Sequence, residues 1–292
     1  MLRSLLFTPG NVPKKLGKLS GCGADGVILD LEDTVPPGEK GLARSYIAGA
    51  LPSIQGPRRY VRVNAWPTGF TEEDLEVVVK GDLEGIVLPK VESRADLEKA
   101  HRTLNGLEAR ENLSRGSIEV LPIVETALGL WHLDEIAFNA PRVKRLSFGA
   151  GDFMRDIGTT FTPSLWSAEG TELLYARSRI VVASRAAGLE PPLDTVYLDI
   201  RNLDGLEAES RLARQLGFQG KMAIHPDQIP VLNRTFSPRP EEIAYARKVV
   251  EAFERAEKTG TASLAVDGAF VDYPIVAKAR WLLDVAKKAG LA

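Results

Sequence analysis

Eight short apolar runs recur along the 292-residue chain, and most of them end in proline or an acidic residue before a segment with helical spacing. Their hydrophobicity is continuous rather than alternating, which is typical of strands buried on both faces of a parallel sheet. Eight such strand–helix units predict an α/β fold, a closed TIM (β/α)₈ barrel. The predicted strands are Ser4–Pro9, Gly26–Asp33, Arg59–Ala65, Gly85–Glu92, Glu119–Glu125, Arg145–Asp152, Leu193–Ile200 and Gly220–Pro226.

The segments between the runs carry helix start signals. Thr71 with Asp74, and Ser93 with Asp96, place a hydroxyl three residues before an acid, which is a variant of the capping box. A doubly wound open sheet is the alternative architecture. No Gly-x-Gly-x-x-Gly between a strand and a helix favours it, so the barrel is preferred.

The pattern changes after the eighth run. A helix is predicted from Pro240 to about Lys258, where proline is tolerated at the first helical position. A small-residue linker over 259–268 follows, and then a last helix from about Pro274 to Ala289. The sequence therefore predicts a barrel domain over residues 1–235 and a C-terminal helical extension over 236–292, packed on the barrel or on a neighbouring subunit.

Composition narrows the classes of partner. The formal net charge is −2 without a basic run, so we expect no nucleic-acid partner. No stretch approaches the ~20 apolar residues of a membrane span, and the first apolar run is too short for a secretory signal. The single cysteine, Cys22, excludes an intrachain disulfide. These features predict a cytoplasmic protein.

Two carboxylates stand at the ends of neighbouring predicted strands. Glu125 ends the fifth run, and Asp152 ends the sixth after the small residues of Phe148-Gly-Ala-Gly. In a barrel the carboxyl ends of the strands form the active-site face. Magnesium prefers oxygen ligands and takes only one or two protein carboxylates, so this pair predicts a magnesium site. The alternative is that each acid caps the helix that follows it.

Arg62, within Tyr60-Val-Arg-Val-Asn64, is a charged residue in a predicted buried strand. A buried guanidinium is costly unless it is paired, but at the barrel mouth it can hold a substrate carboxylate through two parallel hydrogen bonds. The alternative is a structural ion pair with Glu32 or Asp33. Alternation along a strand would place Asp30 and Glu32 on one side and Asp33 on the other.

Motifs in one order along nearly the whole chain carry a family resemblance. They are Arg3-Ser-x-Leu-Phe-x-Pro-Gly-Asn11, Asp30-Leu-Glu-Asp33, Arg62-Val-Asn64, Leu88-Pro-Lys-Val-Glu92, Ile123-Val-Glu-Thr126, Phe148-Gly-Ala-Gly-Asp152, Ile224-His-Pro226 and Asp267-Gly-x-x-Val-Asp272. The chain resembles the citrate lyase beta-subunit-like proteins of the HpcH/HpaI aldolase/citrate lyase family, relatives of malyl-CoA and citramalyl-CoA lyases.

The resemblance implies a homotrimer of barrels that binds Mg²⁺ and breaks or makes a carbon–carbon bond in a 3-hydroxyacyl-CoA thioester. The products would be acetyl-CoA and a 2-keto acid such as oxaloacetate, glyoxylate or pyruvate. By position, Glu125 and Asp152 match the metal ligands, Glu125 also lies at the substrate, and Arg62 matches the clamp on the keto-acid carboxylate. Asp272 matches a catalytic acid that reaches from one subunit into a neighbour's site.

Three functions remain open on the sequence. The first is a magnesium-dependent lyase for citryl-, malyl- or citramalyl-CoA. The second is a citrate lyase beta subunit whose thioester is carried on an acyl-carrier protein. The third is a keto-acid-binding protein that has kept the barrel without lyase activity, because a fold alone does not establish catalysis. More distant aldolases of the family carry a histidine where this chain has Asp33, so their histidine-dependent proton transfer is not expected here.

Overall fold

In the computed structural model, which describes residues 1–160, 167 and 169–291, eight parallel strands close into a barrel in sequence order. The first strand pairs with both the second and the eighth, which closes the sheet. The TIM-barrel prediction is therefore confirmed. The strands are β1 Ser4–Pro9, β2 Gly26–Asp30, β3 Arg58–Arg62, β4 Gly85–Leu88, β5 Glu119–Val124, β6 Ser147–Phe148, β7 Leu193–Asp194 and β8 Gly220–Ala223.

Helices occupy the segments between the strands and most of the C-terminal part of the chain. They are α1 Pro13–Leu16, α2 Lys40–Ala50, α3 Thr71–Val78, α4 Arg94–Arg110, α5 Ala127–Trp131, α6 Leu133–Ala137, α7 Ala150–Asp156, α8 Thr171–Ala186, α9 Leu203–Leu216, α10 Gln228–Phe236, α11 Pro240–Lys258 and α12 Tyr273–Lys288. In the described part of the chain, no helix combines the length and the apolarity needed to cross a membrane.

Of the two predicted capping boxes, one forms. At the start of α4 the Asp96 carboxylate accepts a hydrogen bond from the backbone N–H of Ser93 at 2.9 Å. The prediction at Thr71 is wrong, because Phe70 is the N-cap residue of α3 and the Thr71 hydroxyl donates instead to the backbone carbonyl of Asn64. Asp74 is fully buried and accepts from the Asn64 side chain, so tertiary contacts override the local signal.

Apolar side chains from alternate positions of the strands fill the barrel interior. They are Leu5, Ile28, Tyr60, Val87, Leu121, Ile123, Leu193 and Met222. The residue before Met222 in β8 is Lys221, which points to the opposite face of the strand, towards α9. There its ammonium group donates to Asp194 at 2.7 Å and to Glu209 at 2.6 Å.

Arg177 of α8 completes this buried charged cluster. Its guanidinium donates to both carboxylate oxygens of Asp194 at 3.0 Å and to Glu209 at 2.9 Å. Arg177 and Lys221 are both fully buried. Two cations and two carboxylates thus tie α8 and α9 to the last two strands, and each charge depends on its partners for solvation.

The chain divides into two compact units, Leu2–Asn233 and Arg234–Ala292 together with Met1. In the second unit α11 and α12 enclose a small apolar core that includes Val249, Phe253 and Val276. The functional division into 1–235 and 236–292 stays a prediction.

The prediction of a linker over residues 259–268 is wrong for the second half of this range. Strands β9 Leu264–Val266 and β10 Ala269–Val271 pair as an antiparallel hairpin. Asp267 and Gly268 form its two-residue turn with φ values of 51° and 81°. Positive φ at both positions defines the turn type for which Asp-Gly is a preferred sequence.

We predict that Lys221→Met lowers the free energy of unfolding by about 3–5 kcal/mol, because Asp194 and Glu209 would lose a buried counter-charge. Arg211→Met is the matched control, since Arg211 pairs with Glu207 on the exposed surface of α9 and should cost less than about 1 kcal/mol. Urea denaturation of both variants measures the difference. Equal losses would contradict the assignment of a stabilising role to the buried cluster.

Candidate active site

Asp30 and Arg62 are the last residues of β2 and β3 and lie opposite each other in the register of these strands. The Arg62 guanidinium donates from Nε and Nη2 to the two carboxylate oxygens of Asp30 at 2.6 and 2.7 Å. Both side chains are buried. Burial alone would lower the pKa of Arg62, but the adjacent carboxylates have the larger effect and raise the pKa above its ordinary value. The guanidinium therefore stays charged. The main partner of Arg62 is thus an acid of its own barrel.

The third guanidinium nitrogen, Nη1 of Arg62, faces two further acids. It lies 3.0 Å from Glu32 Oε2 and 3.5 Å from Asp33 Oδ2. The structure therefore contains the ion pairs considered as the alternative for Arg62, with Asp30 added as the strongest. The expected placement of Asp33 on the opposite side is wrong, because β2 ends at Asp30 and strand alternation ends with it.

Lys90 connects the two groups of acids, and sequence reasoning gave it no role. Its backbone N–H donates to Glu125 Oε1 at 2.8 Å, and its ammonium group donates to Glu32 Oε1 at 2.5 Å. The same ammonium lies 3.1 Å from Asp152 Oδ2. Burial lowers the pKa of Lys90, but Glu32 and the other carboxylates raise it more, so this residue is a fixed cation.

Glu125 follows the last residue of β5 and is buried. It does not cap the next helix, because Thr126 is the N-cap of α5 and accepts from the backbone N–H of Gly129 at 3.0 Å. Gly149 is required beside it, since a Cβ there would lie 2.3 Å from Glu125 Oε2. Burial, reinforced by the neighbouring Glu32 carboxylate, raises the pKa of Glu125 to about 8.

Asp152 lies in the first turn of α7, where a carboxylate is favoured by the helix dipole. No side-chain capping hydrogen bond is formed at this helix start. Instead one oxygen of Asp152 faces Lys90, and the other lies 3.0 Å from Arg155 Nη2. The structure thus places both Glu125 and Asp152 in contact with Lys90, the first at its backbone N–H and the second at its ammonium group.

The donor set suits a small, hard cation. Both candidate ligands are carboxylates, and Glu125 carries an electrostatic penalty that a divalent ion would offset. In the described residues no group of three or more histidine, cysteine, aspartate or glutamate side chains is arranged to hold a metal ion. A site with two protein carboxylates fits magnesium, which keeps its other positions for water and substrate oxygens, better than a metal that needs several protein ligands.

Asp272 belongs to the C-terminal unit, where it is the N-cap residue of α12. Its carboxylate accepts from the backbone N–H of Ile275 at 3.4 Å and is partly exposed. This contact gives Asp272 a local role in starting the helix. Its catalytic role in the site of another subunit stays a prediction.

Comparisons with known proteins identify the family of the chain and its structural relatives. Residues 3–226 match the family model for HpcH/HpaI aldolase/citrate lyase. The chain is 35% identical over 287 residues to citrate lyase subunit beta of Haemophilus influenzae, covering 98% of this chain and 97% of that protein. It is 34% identical over 300 residues to mitochondrial citramalyl-CoA lyase of Homo sapiens, covering 97% and 85%. The crystal structure of CitE from Mycobacterium tuberculosis with magnesium, acetoacetate and coenzyme A superposes with a TM-score of 0.77 at 31% identity, covering 97% of each chain.

The raised pKa of Glu125 predicts how stability depends on pH without added metal. Between its ordinary value of 4.5 and the folded value of about 8, the folded state binds more protons than the unfolded state. Stability from this group is therefore greatest at low pH and is lost as pH rises through about 8. The loss is on the order of a few kcal/mol, since one pKa unit corresponds to about 1.4 kcal/mol.

Urea denaturation of the parent and of Glu125→Gln in EDTA, between about pH 5.5 and 8.5, isolates this contribution. We expect the parent to lose stability relative to the variant as pH rises, because glutamine does not ionise. Parallel pH profiles for the two proteins would show that Glu125 does not have a raised pKa.

Proposed function

The chain belongs to the HpcH/HpaI aldolase/citrate lyase family, and from that premise we propose that it is a magnesium-dependent carbon–carbon lyase. Its substrate would be a 3-hydroxyacyl-CoA thioester such as citryl-, malyl- or citramalyl-CoA, and its products acetyl-CoA and a 2-keto acid. The observation that carries this proposal is the meeting of Glu125 and Asp152 around Lys90 at the barrel mouth.

Glu125 and Asp152 would hold the metal. When bound there, Mg²⁺ would polarise the keto group of the substrate and offset charge that develops on its oxygen. The backbone N–H of Lys90 fixes one oxygen of Glu125, and the absence of a side chain at Gly149 leaves room for the other. Both contacts orient the proposed ligand before any metal arrives, which reduces the cost of binding.

Arg62 would orient the keto acid at its carboxylate. Its two hydrogen bonds to Asp30 hold the guanidinium rigidly at the end of β3. Only Nη1 is directed away from Asp30, so the clamp would work through that nitrogen. Rigid placement of one donor is enough to restrict the orientation of a bound acid.

Asp272 would move the proton. In the cleavage direction the hydroxyl proton would pass to water and the bond between the carbinol carbon and the acetyl-thioester carbon would break, which leaves a keto group and a thioester enolate. Protonated Asp272 would give its proton to the enolate carbon and would regain one from water, so no net proton is consumed. The family resemblance supports a homotrimer in which Asp272 is delivered from a neighbouring subunit. We further propose that it works in the cytoplasm on small molecules, without a nucleic-acid partner.

A second candidate keeps the same chemistry on another carrier. The likeness to citrate lyase subunit beta spans 97% of that protein, which favours a thioester carried on an acyl-carrier protein. The likeness to citramalyl-CoA lyase, and to a CitE structure that holds coenzyme A, favours the free thioester. Binding of a keto acid without lyase activity ranks last, because the acids and cations of the mouth form a connected cluster.

A panel of citryl-, malyl- and citramalyl-CoA tests the proposal directly. We expect the purified chain to release a keto acid from at least one of them with Mg²⁺ and not with EDTA. Glu125→Ala and Asp152→Ala should each lower this activity at least about 100-fold, since loss of the metal removes several kcal/mol of stabilisation.

Glu135→Ala is the matched control, because Glu135 is an exposed acid on α6. Activity only after addition of an acyl-carrier protein would support the second candidate. Unchanged magnesium-dependent turnover in both ligand variants would contradict the proposed metal site.

Mixing two inactive variants tests the role of Asp272. Asp272→Asn and Glu125→Gln should each have little activity. When their subunits are exchanged, some sites would combine an intact Glu125 with an intact Asp272 from a neighbour, so part of the activity should return. Assays before and after mild dissociation and reassociation measure this recovery. No recovery in mixed oligomers that form normally would contradict a site shared between subunits.

A further inference from the structure

The two cations at the barrel mouth differ in what they can still bind. Arg62 uses Nε and Nη2 on Asp30, and its side chain is only 10% exposed. Lys90 has a side chain that is 26% exposed, and an ammonium group has three N–H donors. Within the described residues, one of these donates a hydrogen bond to Glu32. Lys90 is thus the more accessible cation of the pair.

The backbone of Lys90 has a conformation that L-residues adopt at a cost. Its φ is 51°, in the left-handed region that favours glycine. Such strain persists where surrounding contacts enforce it, and it concentrates at functional sites. Here one residue reaches Glu125 through its N–H while its side chain reaches Glu32 and approaches Asp152. Glycine would adopt this φ without strain, so the presence of lysine indicates that the ammonium group has a functional role.

We propose that Lys90 binds the carboxylate of the 2-keto acid, an inference that rests on the proposed function. The ammonium group lies 3.1 Å from Asp152 Oδ2, and the backbone N–H of the same residue contacts Glu125, so a substrate held by an ion between these two acids would lie near the ammonium group. Nη1 of Arg62 and the Lys90 ammonium group lie against the same two acids, Glu32 and Asp33, so Lys90 adds a second, more exposed cation beside the contact proposed for Arg62. Lys90 is a specificity-determining residue for anionic substrates.

The ammonium group of Lys90 has one strong contact, with Glu32, and one weaker contact, with Asp152, that a substrate carboxylate could replace. Its 2.5 Å hydrogen bond to Glu32 is the anchor. Its contact with Asp152 is longer, at 3.1 Å, and is an ion pair without the geometry of a hydrogen bond. A divalent ion that takes up the charge of Asp152 weakens this contact and leaves a donor for the substrate. Metal binding and keto-acid binding are therefore coupled through Lys90.

Lys90→Met tests the proposal, because it removes the charge but keeps the backbone N–H that orients Glu125. Calorimetry would give the affinity for Mg²⁺ alone, and then for oxaloacetate, glyoxylate and pyruvate with Mg²⁺ present. We expect keto-acid affinity to fall at least about tenfold, since a charge-assisted hydrogen bond is lost. Affinity for Mg²⁺ should be unchanged or tighter, because a competing cation is removed from Asp152.

Two further variants complete the test. Lys90→Arg should recover most of the keto-acid affinity, and it keeps the proposal falsifiable if the methionine variant does not fold. Lys80→Met is the matched control, since Lys80 precedes β4 as Lys90 follows it and pairs instead with Glu111 at 2.8 Å. It should change neither affinity.

Three results would overturn the proposal. Unchanged keto-acid affinity in Lys90→Met would show that Lys90 does not contact the substrate, and it would leave the proposed function intact. Loss of Mg²⁺ affinity together with keto-acid affinity would show that the lysine only positions the metal ligands. A parent protein that binds none of the three keto acids would overturn the proposed function itself, and the role of Lys90 with it.

Discussion

Negative charge collected at the mouth of the barrel is the constraint on which the site depends. Asp30 and Glu32 are buried at the end of β2, and Glu125 is buried at the end of β5. Arg62 and Lys90 supply compensating charge, but they leave Glu125 with a pKa raised to about 8. The raised pKa means that the ionised carboxylate of Glu125 destabilises the folded state unless it is protonated or shares a cation. The same cost that destabilises the isolated site makes it receptive to a divalent ion.

Most of the fold was predictable from the sequence because strands buried on both faces must be continuously apolar. All eight predicted runs correspond to strands of the barrel. The prediction for β1 matches the structure, whereas the other seven predicted strands end later than the observed ones. Hydrophobicity reports burial and not strand pairing, and Leu31 and Val63 are buried beyond the last residues of β2 and β3. The hairpin in the C-terminal unit was missed although Asp267-Gly268, a strong turn signal, stood in the sequence.

The site was predictable only in part. The topology of a barrel gathers residues that follow its strands on one face, and Glu125 and Asp152 both contact Lys90 there, while their role as metal ligands stays a prediction. The pairing of Arg62 with Asp30 depends on the register of two strands about thirty residues apart, which local patterns do not encode. The role of Lys90 depends on a positive φ enforced by tertiary contacts, and no residue type signals that conformation.

The central claim is that Glu125 and Asp152 share one magnesium ion that also holds the keto acid. Anomalous diffraction from crystals soaked with Mn²⁺ and oxaloacetate tests it most directly, because the signal locates the metal independently of the protein density. The account predicts a single strong peak with one oxygen of each carboxylate at about 2.1 Å, and with keto-acid oxygens and waters at the remaining octahedral positions. A peak elsewhere in the barrel, with Asp152 still paired to Lys90 and Glu125 free of metal, would contradict it.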